Sequence, residues 1–368
     1  MIFALLVLSV IVVFHEFGHF LLARLNGIAV VEFSVGFGPR LISWESKKSG
    51  TRYSWKLIPF GGSCAMLGEF EDEAVRTPEE KAYQEKFADG RNGASFFSKS
   101  APARMSVIAA GPIFNFILAF FAAVFVLSWA GYDAPVLLDV TAGEAAEAAG
   151  LQAGDKILKI NHRNMLLTRD CLLYMMTVGQ EDLVVEYERF NEENSRWERN
   201  TTVIEGERMR YADGRYYMGV AFSGYRTEVE SIPSLFKYAA ADVRYNVISV
   251  IETLRMMVGG KLTGAEIAGP VRIVSIIDET VESASPGGIV SVVMHILNLI
   301  VIFSANLGVM NLIPFPALDG GRLVFLLWEL ITRKPVDKKV EGMVNLIGMA
   351  LLMAFMFLVI FNDIRILF

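Results

Sequence analysis

Two histidines and a glutamate lie close together near the start of the chain, where His15, Glu16 and His19 form an H-E-x-x-H pattern. Residues four apart share one face of a helix, so both imidazoles can bind one cation with the carboxylate beside them. The surrounding residues 2–22 are otherwise almost entirely apolar. Because ionisable side chains inside an apolar span are costly, they indicate a functional site, and the pattern predicts a zinc site buried in a membrane helix.

A third protein ligand is needed if the zinc is to keep a fourth position for water. His162 falls in a segment predicted to lie outside the membrane, and His295 lies at the opposite end of its span from the motif. Asp319 is a better candidate, because it follows two prolines that interrupt a helix and precedes two glycines that allow close backbone approach. Alternatively, Asp319 only caps a helix that starts at Gly320. Beside the motif, the ligand interpretation is the stronger one.

The composition is that of a membrane protein. Of 368 residues, 53% are hydrophobic and only 20% are charged, and the mean hydropathy is +0.42. Soluble domains carry about 25% charged residues. The formal net charge of −6 gives no indication of a nucleic-acid partner. Cys64 and Cys171 cannot build a disulfide framework, and they lack the spacing of a thiolate metal site.

Four segments are apolar enough and long enough to cross about 30 Å of hydrocarbon. They are residues 2–23, 106–128, 288–312 and 341–361. The first segment has neither a basic start nor a convincing cleavage site, so we expect a membrane helix and not a signal peptide. Cations concentrate in the connections between the first two and the last two spans, which places these connections and the nearby motif on the cytoplasmic side. Both termini and residues 129–287 are then expected outside.

Alternating segments after the first span predict β-hairpins. Residues 30–44 and 51–57 alternate, are separated by a Ser-Gly turn and are followed by Gly61 and Gly62. Such hairpins can dip into the membrane interface or offer an edge strand to an extended peptide, or they only brace the helices. The polar residues 69–100 that follow predict a mobile cytoplasmic connection.

A compact soluble module is predicted at residues 134–222. Residues 149–161 have the pattern of a helix end, a Gly-rich turn and a strand, and residues 183–189 predict a second strand. The stretch 149–161 resembles the signature of a PDZ domain. This resemblance implies a groove that accepts an extended peptide by strand addition, or a steric cap that captures no peptide.

Two outward helices are expected between this module and the third span. Residues 231–258 have helical periodicity, and another apolar-faced segment begins at Ile267; both are expected to lie against the membrane surface in a packing role. The expected domains are therefore residues 1–133 with two spans, the zinc motif and the hairpins, 134–222 with the PDZ-like module, 223–287 with amphipathic helices, and 288–368 with two spans and the aspartate motif.

Taken in order along nearly the whole chain, these features resemble the bacterial site-two proteases, intramembrane zinc metalloproteases of the regulator-of-sigma-E protease type. The matching segments are residues 15–19, 33–39, 61–62, 111–115, the PDZ-like module and 311–321. The chain departs from the family in two places. It has room for one PDZ-like module where some relatives carry two in tandem, and residues 64–66 read Cys-Ala-Met where the family often has Val-Lys-Met.

The resemblance implies an enzyme, a zinc metalloendopeptidase that crosses the bacterial inner membrane several times with its active site toward the cytoplasm. Zinc is the expected cofactor, held by His15, His19 and Asp319. Glu16 is expected to accept the proton of the attacking water and to pass it to the leaving amine.

The expected partners are the lipid bilayer and single-span membrane proteins already trimmed by an upstream site-one protease, such as an anti-sigma factor or a remnant signal peptide. A substrate helix must unwind locally, because its carbonyls are held in internal hydrogen bonds. By resemblance, Asn115 and Asn311 hold the unwound strand; alternatively, both make interhelical hydrogen bonds without touching substrate. The PDZ-like module would act outside as a size filter.

Two other classes of function fit parts of the sequence. An ion-path membrane protein would distribute polar residues along several spans, whereas the buried ionisable groups here gather at two points. An inactive scaffold could bind envelope proteins through the PDZ-like module, but the intact Glu16 argues against it.

Overall fold

Four helical stretches of the described residues are long and apolar enough to cross a membrane: Ile2–Leu25, Ala101–Ala130, Pro270–Leu312 and Lys339–Ile366. Each of them contains one of the four predicted spans. The computed structural model describes residues 2–68, 85–87, 92–259 and 269–367. Most of the predicted connection at 69–100, and the first residues of the segment from Ile267, lie outside this described part.

The chain divides into two compact units, Met1–Ala122 with Met256–Phe368, and Ala123–Arg255. The helices are α1 (Ile2–Leu25), α2 (Ala101–Ala130), α3 (Ala145–Ala148), α4 (Thr168–Thr177), α5 (Ile232–Val258), α6 (Pro270–Ala284), α7 (Gly288–Leu312), α8 (Asp319–Thr332) and α9 (Lys338–Leu367). The strands are β1 (Val30–Glu45), β2 (Arg52–Met66), β3 (Leu137–Val140), β4 (Lys156–Ile160), β5 (Arg163–Asn164), β6 (Leu183–Asn191), β7 (Arg196–Ile204), β8 (Arg210–Ala212), β9 (Arg215–Tyr217) and β10 (Val220–Phe222).

A single buried stripe runs along α1. Its members recur at helical spacing and are Ala4, Val7, Ile11, His15, Gly18, His19 and Ala23. Gly18 lies so close to the Ala110 backbone and the Phe114 ring of α2 that a Cβ there would collide with both. The two motif histidines therefore belong to the face of α1 that packs against the protein, and this stripe aims them inward.

The third candidate span is longer than the sequence predicted. It combines the amphipathic helix α6 with the apolar helix α7, joined by a single turn of 3₁₀ helix at Ser285–Gly287. Gly288 has a φ of +81°, a conformation that glycine adopts without strain. The predicted span began at residue 288 because the acidic residues of α6, among them Glu279 and Glu282, lower the average hydropathy.

The chain between α7 and α8 is not helical. Helix α7 ends at Leu312 and α8 begins at Asp319, so the two prolines lie in the connection, as predicted. The backbone N–H of Ala317 donates to Asn345 Oδ1 of α9 at 3.2 Å. Gly320 packs directly on the backbone at the end of α7, where a Cβ would collide. Asp319 is thus the first residue of its helix, with Leu318 in the capping position.

The predicted hairpins form one long, curled pair of strands. The first part of β1 pairs with the end of β2 on one edge and with the start of β2 on the other, since Glu32 lies opposite both Ala65 and Arg52. The Gly61-Gly62 segment belongs to β2 itself. Strand β2 also contacts α1, where Ser9 Oγ donates to the Pro59 carbonyl at 2.6 Å.

The second unit is built on an antiparallel sheet in the order β5-β4-β6-β7, with a separate pair β10-β3. Its apolar core includes Leu137, Ile157, Cys171, Val185 and Ile204, which are nearly inaccessible to solvent. The predicted strands at 156–161 and 183–189 correspond to β4 and β6. The unit extends beyond the predicted module, because it also holds the end of α2 and most of α5.

Candidate metal centre

Three side chains from α1 and α8 converge in the first unit. His15 Nε2 lies 3.1 Å from His19 Nε2. Asp319 Oδ2 lies 3.1 Å from His15 Nε2 and 3.4 Å from His19 Nε2. Both imidazoles are buried and the aspartate is half-buried. The sequence predicted these three residues as ligands, and the structure brings them to one point although Asp319 is about 300 residues from the motif.

These distances fit a zinc ion. Bonds of about 2.0–2.2 Å in tetrahedral geometry place donor atoms about 3.3–3.6 Å apart, close to the 3.1–3.4 Å found here. Asp319 Oδ2 is buried and has no hydrogen-bond partner among the described residues, despite its short distances to the imidazoles. A buried carboxylate oxygen without a partner is costly. A cation between the three donor atoms would satisfy it.

Helix α2 orients the second histidine. His19 Nδ1 lies 2.9 Å from the Val107 carbonyl, which can only accept, so the proton is on Nδ1 and the lone pair of Nε2 faces the centre. This contact was not predictable from the sequence, because any residue type can supply a backbone carbonyl. Gly111, one turn further along α2, lies against both imidazoles, and a Cβ there would collide with them.

Glu16 lies beside the three donor atoms and outside the buried stripe of α1. Its carboxylate interacts electrostatically with His19, His15 and Asp319, and it accepts a hydrogen bond from the Cys64 backbone in β2. The Glu16 side chain also runs past Gly62 of β2. The carboxylate is thus close to the metal centre and held by the hairpin, in a position to exchange protons with a group at that centre.

The other candidate residues lie in different surroundings. His162 and His295 are exposed, in line with their rejection as ligands. Asn311 is half-buried in the last turn of α7. Asn115 is fully buried on α2, and its Nδ2 lies 3.1 Å from His15 Nδ1. This contact favours the interhelical alternative for Asn115. Asn345 was not predicted from the sequence, although it accepts a hydrogen bond from Ala317 in the connection before Asp319. The sequence signal that could have indicated it is an amide side chain within an apolar span.

Comparison with known proteins extends over almost the whole chain. Residues 3–355 match the model of peptidase family M50. Zinc metalloprotease RasP of Bacillus licheniformis is 30% identical over an alignment 430 residues long, which covers 99% of this chain and 98% of the relative. RasP of Shouchella clausii is 32% identical over 429 residues, 98% of each chain. RasP of Geobacillus kaustophilus is 29% identical over 425 residues, 98% of this chain and 96% of the relative. The matched range includes both halves of the metal centre, and the chain belongs to the zinc metalloproteases of peptidase family M50.

Proposed function

We propose that this chain hydrolyses peptide bonds within transmembrane segments, with His15, His19 and Asp319 as the zinc ligands and Glu16 as general base. The observation that carries this proposal is the convergence of three donor atoms around a buried carboxylate oxygen that has no hydrogen-bond partner among the described residues. His15 and His19 lie on α1, which is apolar and long enough to cross a membrane, and Asp319 begins the helix α8. We therefore expect the substrates to be membrane-spanning segments.

The mechanism assigns each residue one task. When bound, zinc lowers the pKa of a water molecule and polarises the substrate carbonyl. His15 and His19 offer their Nε2 lone pairs, and His19 is kept in the required tautomer by the Val107 carbonyl. Glu16 accepts the proton of the attacking water and delivers it to the leaving amine. Its hydrogen bond to the backbone of β2 keeps the carboxylate beside the centre.

The substrates that we propose are single-span membrane proteins already trimmed by an upstream protease, such as an anti-sigma factor or a remnant signal peptide. An unwound substrate needs hydrogen-bond partners for its backbone, and we propose two partners from this chain. One is the amide of Asn311 at the end of α7. The other is the strand pair of β1 and β2, which contacts α1 next to Glu16 and could add an extended strand.

The location that we propose is the bacterial inner membrane, with the metal centre toward the cytoplasm and the second unit outside. The support is the distribution of cations in the connections between spans. In the second unit, residues 149–161 contain a helix end, a turn with Gly150 and Gly154 at positive φ, and the strand β4, and this order supports the proposal of a PDZ-like module. We propose that this unit limits the size of substrates that reach the membrane.

The test is cleavage of a membrane-anchored reporter by the full-length protein in detergent. Glu16→Gln keeps the shape of the side chain and removes the base, so we expect cleavage to fall below detection while the zinc content stays at the wild-type level. Glu192→Gln, in the exposed turn between β6 and β7, is the matched control and should cleave normally. Undiminished cleavage by Glu16→Gln would refute the proposed mechanism. A proteomic survey of fragments that accumulate with Glu16→Gln would then identify the substrates.

A further inference from the structure

One face of α2 meets the outer nitrogen of each histidine. Val107, Gly111 and Asn115 are spaced by four residues and so lie in one row along the helix. The Val107 carbonyl meets His19 Nδ1 at 2.9 Å, and the Asn115 amide meets His15 Nδ1 at 3.1 Å. Both imidazoles thus have their inner nitrogen at the metal centre and their outer nitrogen on α2. The partner of His19 is a backbone carbonyl, whereas the partner of His15 is a side chain that can turn.

The two ends of the Asn115 amide make opposite demands on His15. If the amide nitrogen faces the ring, it donates to Nδ1, and the ring proton must then be on Nε2. A protonated Nε2 cannot bind a metal, because its lone pair is used. If the amide oxygen faces the ring, it accepts a proton from Nδ1, and the lone pair of Nε2 is free. The orientation of this amide therefore selects the tautomer of a metal ligand.

No hydrogen bond to another described side chain or backbone group holds the Asn115 amide in the first orientation, and a metal bound at His15 Nε2 requires the second. Asn115 Oδ1 is buried and has no partner among the described residues. The two ends of a primary amide have the same shape, so the partners around it decide which end points where. Turning the amide by half a rotation puts Oδ1 against His15 Nδ1 without moving another heavy atom. The acceptor then meets a donor, as the Val107 carbonyl meets His19.

We propose that Asn115 is the positioning residue of His15: its Oδ1 accepts the Nδ1 proton and holds the lone pair of Nε2 toward the zinc. This inference rests on the proposed role of His15 as a zinc ligand. It assigns Asn115 to the metal centre and not to the substrate, in keeping with a side chain that has no solvent exposure. Ser304 of α7 fixes the same turn of α2, because its Oγ donates to the Asn115 carbonyl at 2.9 Å.

The test is the zinc affinity of full-length variants in detergent, measured by competition with a chromogenic chelator. Asn115→Leu removes the acceptor and keeps the number and branching of the side-chain heavy atoms, and we expect zinc to bind about 10–100-fold more weakly, the usual effect of removing an outer partner of a ligand. Asn115→Asp keeps an acceptor oxygen and should bind zinc much more tightly than the leucine variant. Unchanged affinity in Asn115→Leu would overturn the proposal, as would an equal loss in both variants, since the cause would then be packing.

Two further measurements separate this inference from the proposed function. His15→Ala should lose zinc; if it stays loaded, the proposed ligand set is wrong, whereas loss in His15→Ala with no effect in Asn115→Leu refutes only the role of Asn115. Nitrogen-15 NMR of histidine-labelled, zinc-loaded wild type needs no variant that must fold. We expect His15 to be protonated on Nδ1 and bound through Nε2. Binding through Nδ1 would overturn the proposal.

Discussion

Each unit of this protein contains a cluster of ionisable side chains that includes poorly accessible carboxylates, and the two clusters compensate these carboxylates differently. In the second unit, Arg169 binds Asp133 at 3.0 Å and Asp242 at 3.2 Å. Arg244 binds Asp170 at 2.8 Å in the same region. Every carboxylate of this cluster has a guanidinium partner. In the first unit, Asp319 faces the imidazoles of two histidines.

The difference shows how a structural cluster can be told from a site that takes a cation. A buried carboxylate is tolerated when an opposite charge and hydrogen bonds compensate for the lost water. The second unit supplies that charge from its own arginines, so its cluster connects α4 and α5 without any ligand. Asp319 has an oxygen with no hydrogen-bond partner among the described residues, and both neighbouring imidazoles turn Nε2 toward it. We propose that a metal ion completes this arrangement.

The largest effect on zinc binding is expected from removing the carboxylate of Asp319. Asp319→Ala removes one of three donors, so zinc should be lost at concentrations that keep the wild type loaded. The loss of affinity should exceed the about 10–100-fold that is typical of an outer partner, and reporter cleavage should fall below detection. Metal analysis after dialysis against a weak chelator measures this. Full retention of zinc would remove Asp319 from the ligand set and with it the contrast between the two clusters.

The next prediction concerns the positive charge that Arg169 supplies to the acidic cluster of the second unit. Arg169→Met leaves Asp133 and Asp242 without their guanidinium, and Asp242 is almost fully buried. Breaking a buried ion pair on one side costs about 3–5 kcal/mol. We expect hydrogen exchange to accelerate in α4 and α5, as followed by mass spectrometry of the full chain, with normal zinc content.

Lysine at the same position is the matched control for Arg169→Met. It restores one positive charge but not the planar fork that reaches both aspartates, so its exchange rates should lie between those of wild type and the methionine variant. If Arg169→Met loses zinc while exchange in α4 and α5 stays slow, the cluster is not a local structural device.

The grouping of His15, His19 and Asp319 was largely predictable from sequence, since each half of it has a local signal. Two histidines four residues apart share a helix face wherever that helix lies, and a helix broken by prolines before a carboxylate is tolerated at membrane depth where it lines a protein cavity. The Val107 carbonyl was not predictable, because any residue could supply it. The cluster of the second unit was also missed. Asp133, Arg169 and Asp242 are far apart in sequence. Their residue types are also those of ordinary surface ion pairs, so nothing in the sequence indicated a buried cluster.

In the hairpin region, too, the sequence predicted the local elements but not the contacts between them. Alternation predicted strands at residues 30–44 and 51–57, and both lie within β1 and β2. The pairing of the first part of β1 with both ends of β2 was not predictable. Register depends on which faces are buried by other elements, here in part by α1. Local pattern thus predicts the strands, whereas the curl that brings β2 beside Glu16 depends on tertiary contacts.

A buried carboxylate outside both clusters gives the smallest and most discriminating effect. Asp363 of α9 is inaccessible to solvent, and it accepts hydrogen bonds from the backbone N–H groups of Gly269, Val271 and Arg272 at 2.9–3.1 Å. It therefore caps the start of α6, where the helix dipole also favours a negative charge. This carboxylate is compensated by backbone donors and should need no metal.

Asp363→Ala leaves these N–H groups without their acceptor, and we expect a local cost of about 2 kcal/mol. Hydrogen exchange in α6 should accelerate, whereas zinc content and exchange in α4 and α5 should not change. Asp363→Asn keeps an acceptor oxygen and should restore most of the protection, because asparagine is also a good cap. Loss of zinc in Asp363→Ala would contradict the difference between metal-binding and structural carboxylates, since a carboxylate satisfied by backbone donors would then support the metal centre as well.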